Sequence, residues 1–148
     1  MENIIYKLAD IKDLDEIIEL GNLLADFEIT ERGKDFWDKE TLKNCLEQPD
    51  SGLIVCSYYD NNLAGFIIIN KNTVFKIASI DYIFVLPKYR SLKIGKELYN
   101  MTIEELKKSS IKQLSITIEY NNKSIIDFFE CRGFDKTLNM VNLDLKIK

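Results

Sequence analysis

A basic turn between a strand and a helix is the part of this sequence whose residue types could bind an anion. Ile80–Leu86 is β-branched, aromatic and apolar, which predicts a strand, and Pro87 ends it because proline cannot donate to a ladder. Lys88–Lys93 is mostly polar or basic, and the apolar residues after Gly95 recur at helical spacing. The first turn of a helix has unsatisfied N–H donors and a partial positive charge. The segment therefore predicts a strand, turn and helix that can hold a phosphate.

The composition is ordinary for a soluble globular protein. The chain has 148 residues, of which 46% are hydrophobic and 30% charged, so residues 1–148 suit a single domain with its own core. A net charge of −4 and an isoelectric point near 5.0 argue against nucleic acid as a partner. The sequence has no apolar run of the roughly 18 residues that a bilayer crossing needs, and its start has no signal-peptide pattern. We therefore expect neither a nucleic-acid nor a membrane partner.

The cysteine and histidine content limits which kinds of metal site and catalytic site are expected. The chain has three cysteines, Cys45, Cys56 and Cys131, at no metal-ligand spacing, and no histidine. A zinc site and a catalytic triad that uses imidazole are therefore not expected. An odd number of cysteines without a disulfide framework favours a reduced, cytoplasmic setting.

Turn residues and hydrophobic periodicity divide the chain into short elements. We predict strands at Ile4–Leu8, Leu53–Tyr59, Leu63–Asn70, Val74–Leu86, Gln113–Glu119 and Met140–Ile147, and helices at Lys12–Ala25, Phe36–Gln48, from Gly95 onward and at Asn121–Glu130. Phe27–Asp35 is predicted to be a loop. Short polar turns separate the strands between residues 53 and 86, which indicates an antiparallel meander.

The basic turn also resembles a known motif. Residues 85–96, VLPKYRSLKIGK, look like the acetyl-CoA pyrophosphate loop of the GCN5-related N-acetyltransferases. Arg90 and Gly95 match the family's pattern. Lys93 stands where the family usually has glycine, and its ammonium could add a contact to a phosphate.

A second segment supports the same resemblance. Residues 122–134, NKSIIDFFECRGF, are similar to a later motif of that family. Asn122, Glu130, Gly133 and Phe134 fall on its pattern, and Phe129 stands where the family most often has tyrosine. The resemblance is specific over residues 81–134.

The order of the predicted elements, β-α-α-β-β-β-α-β-α-β, is also the order in that family. The resemblance implies a single-domain mixed α/β fold, with a twisted, mostly antiparallel sheet and helices on both faces. The fourth and fifth strands should be parallel neighbours that diverge at one end. The resemblance further implies an N-acetyltransferase that moves an acetyl group from acetyl-CoA, its co-substrate, directly to a primary amine. The expected acceptor is a small amine or a peptide N-terminus.

The resemblance also implies where acetyl-CoA binds. In the family, pantetheine lies as an extra strand against the fourth strand, where a bulge separates that strand from the fifth. The implied cofactor contacts are Ile83, Phe84 and Val85 of the fourth strand, Arg90, Ser91, Leu92, Lys93, Ile94, Gly95 and Lys96 of the loop, and Asn122 and Phe129 of the second motif.

Acetyl transfer to an amine needs a neutral nucleophile, a polarised carbonyl and a proton for the leaving thiolate. Asp81 is the candidate base, directly or through water, or the anchor for a cationic amine, because relatives that acetylate small amines often carry an acidic residue there. Its spacing from Ile83 and Val85 predicts that the three share a strand face. The alternative interpretation is a solvated strand carboxylate.

The source of the thiolate's proton is open. Phe129 has no proton to give, and Tyr120 is the nearest candidate acid in sequence, although it could equally pack beside the sheet. Alternatively, water protonates the thiolate, which is a fair leaving group because a thiol has a pKa near 8.5. The third alternative is a protein that binds CoA and catalyses weakly.

Two other functional classes remain open. A non-catalytic or weakly catalytic acyl-CoA-binding regulatory module on the same fold is favoured by Lys93 and Phe129. The second class is a small binding protein, in which Ile80–Lys96 has a structural role only. The sequence leaves the acceptor, the acyl chain length and the oligomeric state open, with a homodimer among the expectations.

Overall fold

A sheet of five strands, in the order β1-β2-β3-β4-β5, forms the frame of the first part of the chain. The computed structural model describes residues 3–25, 37–137, 143 and 145–147. The strands are β1 (Ile4–Leu8), β2 (Gly52–Tyr59), β3 (Asn62–Asn72), β4 (Ile77–Val85) and β5 (Gln113–Ile116), and the helices are α1 (Leu14–Ala25), α2 (Lys39–Glu47), α3 (Ile94–Lys108) and α4 (Lys123–Glu130). Two units, Met1–Ile116 and Thr117–Lys148, are each compact. The assignment of residues 1–148 to one domain stays a prediction.

The sheet is mixed and mostly antiparallel, as predicted. Among the strands of the described residues, β1, β2 and β3 each pair antiparallel with the next strand, and only β5 is parallel to its neighbour β4. The β2–β3 connection is the predicted tight turn, in which Asp60 and Asn61 have φ values of 46° and 68°. Positive φ at two successive central residues gives a turn whose twist matches that of the strands, and Asp and Asn adopt it at low cost.

The central strand β3 is buried on both faces. Phe66 and Ile68 belong to a buried cluster that includes residues of α1 and α2. Ile67 and Ile69 are also buried, and because side chains alternate along a strand they point to the opposite face. On that face α3 packs against β2 and β3. The predicted placement of helices on both faces is confirmed.

A bulge in β4 changes how this strand is paired. The consecutive β3 residues Ile68 and Ile69 pair with Tyr82 and Ile80, so Asp81 is an extra residue without a β3 partner. The parallel pairing of β4 with β5 also ends at Ile80. The two strands therefore pair over the first part of β4 only, which confirms that they are parallel neighbours, and their divergence stays a prediction.

Capping residues set where the first two helices begin. The Asp10 carboxylate caps a short 3-10 helix that precedes α1, and the Asp38 carboxylate caps α2. As a result, α1 begins at Leu14 and α2 at Lys39, each later than periodicity alone predicts. The predicted loop Phe27–Asp35 and the predicted start of the second helix lie outside the described residues.

The described residues of the predicted terminal strand, Met140–Ile147, do not form a strand. Leu143, Leu145 and Ile147 have no regular secondary structure, and they are 88%, 86% and 91% exposed. The apolar alternation that predicted the strand is therefore not buried at these positions, and residues 140–142 and 144 lie outside the described part. Within the residues that the structure describes, no helix has both the length and the apolarity that a bilayer crossing needs.

Candidate active site

Beyond the bulge, β4 pairs with β3 on one side and with no strand of the described residues on the other, and we call this second side its open edge. The Leu86 N–H donates to the Ala64 carbonyl oxygen at 2.8 Å, so the backbone of Leu86 faces β3. Backbone polar groups alternate in direction along a strand. Those of Phe84 therefore also face β3, whereas those of Ile83 and Val85 face away from it. The open edge offers the backbone groups of Ile83 and the N–H of Val85 to an extended ligand, whereas the Val85 carbonyl oxygen already accepts a hydrogen bond from Arg90.

The turn after β4 leads into a helix whose N-terminus has no side-chain cap. Pro87–Leu92 forms a 3-10 helix, and Lys93 then adopts a left-handed conformation with φ 60° and ψ 25°. The first backbone hydrogen bond of α3 runs from the Glu97 N–H to the Lys93 carbonyl oxygen at 3.3 Å. The N–H groups of Ile94, Gly95 and Lys96 precede that bond and lie at the positive end of the helix dipole, so this turn can bind an anion.

Arg90 lies next to the open edge. Its Nε donates to the Val85 carbonyl oxygen at 3.0 Å, and its Cζ is 5.8 Å from the centre of the Phe84 ring. The guanidinium is thereby held at the end of β4, where the chain enters the turn. It supplies a positive charge beside the backbone of Val85 and the ring of Phe84.

The other loop residues differ in what they can offer. The side chains of Ser91, Lys93 and Lys96 are exposed, whereas Leu92 is half-buried. Ile94 is fully buried, so it anchors α3 in the core and can reach a ligand only through its backbone. The loop therefore combines a fixed apolar anchor with exposed cationic side chains.

Asp81 does not lie on the strand face that its spacing predicts. A spacing of two residues gives a common face only in a regular strand, and the bulge adds one residue. The Ser79 hydroxyl donates to Asp81 Oδ1 at 3.1 Å. The pKa of the Cys45 thiol of α2 is raised, mainly by burial and then by the charge of Asp81. Asp81 is thus on the face that α1 and α2 cover, and the predicted face is wrong.

The environment of Asp81 suits a group that accepts a proton. Asp81 is exposed, but partial desolvation still raises the pKa of its carboxyl, and the hydrogen bond from Ser79 acts in the opposite direction without cancelling the rise. A raised pKa brings a carboxylate closer to the range in which it can take a proton from an amine. Ser79 was not among the predicted site residues. The available signal was a hydroxyl two residues before a carboxylate in an otherwise apolar strand.

The second motif lies in the unit Thr117–Lys148. Asn122 caps α4, since its Oδ1 accepts from the Ile125 N–H at 3.5 Å. Phe129 is only 2% exposed, and its ring makes edge contacts with Phe128 and Phe134 at 5.1 Å each. Tyr120 is 92% exposed. Phe129 is thus a packed core residue of its unit, and Tyr120 is a surface residue.

Other features of the described residues do not involve the predicted site. A shallow cavity of about 480 Å³ is lined by residues 48–51 and 71–74, none of which is a predicted site residue. Among the described residues, no group of three or more His, Cys, Asp or Glu side chains could hold a metal ion.

Comparison with known sequences connects this geometry to a family. The model of the acetyltransferase (GNAT) family matches residues 17–134. An uncharacterized N-acetyltransferase of Methanocaldococcus jannaschii is 28% identical over 130 residues, which cover 84% of this chain and 57% of that protein. The chain thus spans little more than half the length of this curated relative.

Solved structures share the fold. The PaiA N-acetyltransferase of Thermoplasma acidophilum, in complex with coenzyme A, superposes with a TM-score of 0.76 at 23% identity, covering 90% of each chain. An aminoglycoside acetyltransferase from an uncultured soil metagenomic sample gives a TM-score of 0.79 at 16% identity, covering 98% of this chain and 97% of that one. At these identities the likeness establishes the architecture alone.

Proposed function

The chain belongs to the acetyltransferase (GNAT) family, and from this premise we propose that it transfers an acetyl group from acetyl-CoA to a primary amine. The observation that carries the proposal is the open edge of β4, which leads directly into the uncapped N-terminus of α3. An extended amide chain and a pyrophosphate are the two parts of CoA that such an edge and such a terminus can bind.

The proposed cofactor contacts follow the order of the chain. Bound acetyl-CoA supplies an activated acetyl thioester. The backbone groups of Ile83 and the N–H of Val85 pair with its pantetheine amides as an additional strand would. The N–H groups of residues 94–96 hold the pyrophosphate, with charge added by Arg90 and Lys93, and Ser91 and Leu92 stay cofactor contacts by resemblance to the family. Asn122 and Phe129 stay cofactor contacts by resemblance to the family.

The proposed chemistry assigns one proton to Asp81. An amine attacks the thioester carbonyl only in its neutral form, and the new amide nitrogen must lose a proton as the bond forms. The negative charge of Asp81 attracts the cationic amine from the α1/α2 face, the amine loses its first proton to solvent, and Asp81 accepts the second, directly or through water, as the amide forms. The leaving thiolate is protonated by Tyr120 or by solvent, since Phe129 has no proton to donate.

The acceptor is proposed to be a small, cationic amine. A single carboxylate at a bulge attracts a positive charge without needing an extended peptide-binding surface. An aminoglycoside acetyltransferase is among the proteins that share the fold, so aminoglycosides belong in the test together with polyamines, amino acids and peptides with free N-termini.

The experiment that tests the function is a thiol-release assay with that amine panel. We expect thiol release that depends on one class of amine and that matches acetylated product measured by mass spectrometry. Asp81→Asn should lower kcat/KM about 10²-fold, because it removes general base catalysis, while leaving the acetyl-CoA affinity from calorimetry unchanged. The matched control is Asp60→Asn, at an exposed turn whose positive φ asparagine adopts readily.

A regulatory CoA-binding module is the second candidate, and phenylalanine at position 129 favours it. Calorimetry would then detect acetyl-CoA binding, while no amine of the panel would cause thiol release. Absence of acetyl-CoA binding would contradict both candidates.

A further inference from the structure

We infer that Ser79 is a positioning residue: its hydroxyl holds the Asp81 carboxylate on the α1/α2 face, in the orientation that receives the proton of the acceptor amine. The inference rests on the proposed function, in which Asp81 is the base. It adds a residue that neither the family motifs nor the pattern of the sequence assigns to the site.

The pairing of β4 makes Ser79 a rigid support. Ser79 pairs with Asn70 of β3 on one side and with Ser115 of β5 on the other. Asp81 comes only two residues later but has no partner on β3, and the β5 pairing has already ended. A bulged residue lacks the directly opposed neighbour that orients a side chain in a regular ladder. Ser79 is held in place by pairing on both sides. Its hydrogen bond therefore restricts the orientation of the Asp81 carboxylate, which has no such pairing.

The hydrogen bond also leaves one carboxylate oxygen for the substrate. Ser79 Oγ donates to Oδ1 at 3.1 Å. In the described part of the chain, Oδ2 of Asp81 accepts no hydrogen bond. A carboxylate held through one oxygen has a defined direction for the other, which is what proton transfer over hydrogen-bond distance requires.

The electrostatic setting of the carboxylate gives the contact a measurable consequence. The titratable group that faces Asp81 from α2 is the Cys45 thiol, which Lys71 of β3 also influences. The Ser79 hydrogen bond favours the ionised form of Asp81 against the effect of desolvation. Its removal should therefore raise the pKa of the Asp81 carboxyl. Because a base works only when ionised, the acid limb of the kcat/KM profile should move to higher pH.

The test measures the Asp81 carboxyl directly and the rate separately. The carboxyl ¹³C resonance of Asp81, assigned with Asp81→Asn, is titrated in wild type, Ser79→Ala and Ser79→Thr. The control is Ser115→Ala, which removes a hydroxyl at the paired β5 position. In parallel, the pH profile of kcat/KM is measured with the most active amine of the panel. Thermal unfolding shows that each variant is folded.

In Ser79→Ala we expect an upward shift of the Asp81 titration and of the acid limb, with kcat/KM on that limb lowered about two- to tenfold, the range that one net hydrogen bond contributes. At high pH, where Asp81 is ionised in both proteins, the difference should shrink to the part that lost orientation causes, and Ser79→Thr should restore both profiles. An Asp81 titration unchanged in Ser79→Ala, or shifted equally by Ser115→Ala, overturns the inference. If the titration shifts and the rate profile does not, Ser79 still orients Asp81, and it is the role of Asp81 as base that fails.

Discussion

Phe129 occupies the position where the family most often has a tyrosine, and it packs there without a group that could donate a proton. Its ring is buried between Phe128 and Phe134, so the position is occupied by a packing residue where the family most often has a phenol. The candidate substitute, Tyr120, is almost fully exposed. Replacing an exposed residue seldom changes stability by more than about 0.5 kcal/mol, so a rate change at Tyr120 would report on chemistry rather than on folding.

The prediction at this scale concerns the thiolate's proton. If transfer of a proton to the thiolate limits the rate, Phe129→Tyr should raise kcat several-fold, which is less than the ~10²–10⁴-fold that general acids supply. The added hydroxyl should also lower the free energy of unfolding by about 1–3 kcal/mol if it stays unpaired in this apolar contact. If Tyr120 donates the proton, Tyr120→Phe should slow turnover without changing acetyl-CoA affinity, and Phe129→Tyr should partly rescue it. Rates unaffected by both substitutions identify solvent as the donor. Steady-state kinetics and thermal melts measure these effects.

At the scale of elements, the N-terminus of α3 differs from those of α2 and α4. Side-chain oxygens of Asp38 and Asn122 cap those two helices, whereas α3 starts after a left-handed lysine with no side-chain cap. The backbone donors of α3 are thus available to an external anion. A lysine at φ 60° costs roughly 1–2 kcal/mol relative to glycine, so the turn keeps its shape here at the expense of some stability.

Gly95→Glu is the prediction for this element. The new carboxylate would lie among the proposed phosphate donors, so acetyl-CoA should bind at least tenfold more weakly, a loss of about 1.4 kcal/mol. The Tm should stay close to wild type, because an acidic residue in the first turn of a helix is favoured by the dipole. Calorimetry of Gly95→Gln, which has the same size without the charge, separates repulsion from steric exclusion. Unchanged affinity in Gly95→Glu would show that the phosphates bind elsewhere.

The limits of the sequence prediction also appear at this scale. The helices and the meander were predictable because apolar residues recur at fixed spacings and Asp60–Asn62 marks a turn. The face of Asp81 was not predictable, because alternation assumes an unbroken ladder. The bulge is set by how β3 and β4 pair, and no residue type in the segment marks it. Likewise, the Asp10 and Asp38 caps set helix starts that the apolar periodicity does not mark.

At the scale of the whole molecule, a buried carboxylate links the start of α1 to the sheet. Asp13 is 4% exposed. It pairs with Lys7 of β1 at 3.0 Å and accepts from the Tyr58 hydroxyl of β2 at 2.6 Å and from the Asp10 N–H at 2.8 Å. Burial acts to raise the pKa of the Asp13 carboxyl, but the hydrogen bonds outweigh it and the pKa is lowered.

A lowered pKa in the folded state fixes the direction of the pH dependence. The ionised carboxylate stabilises the fold above the unfolded pKa near 3.8, and this contribution is lost as pH falls through the folded value. Asp13→Asn should therefore lower the free energy of unfolding at pH 7 by about 2–3 kcal/mol, a drop in Tm of roughly 5–10 °C. The deficit should shrink below about pH 4. The control is Asp15→Asn, in an exposed pair with Lys39, which should cost less than about 1 kcal/mol. If both variants lowered the free energy of unfolding equally, the buried hydrogen bonds of Asp13 would not stabilise the fold more than an exposed ion pair does.

The bulge in β4 has a consequence for attempts to improve this protein. Ile80 and Tyr82 already pair with consecutive residues of β3, so the ladder would run without interruption if Asp81 were absent. The sheet thus carries one surplus residue, which is the same residue that the proposed reaction depends on. Any procedure that idealises the strand, whether computational redesign or selection for heat resistance alone, would favour its removal. A thermostable descendant of this chain is therefore expected to keep its architecture and lose its chemistry at the same step.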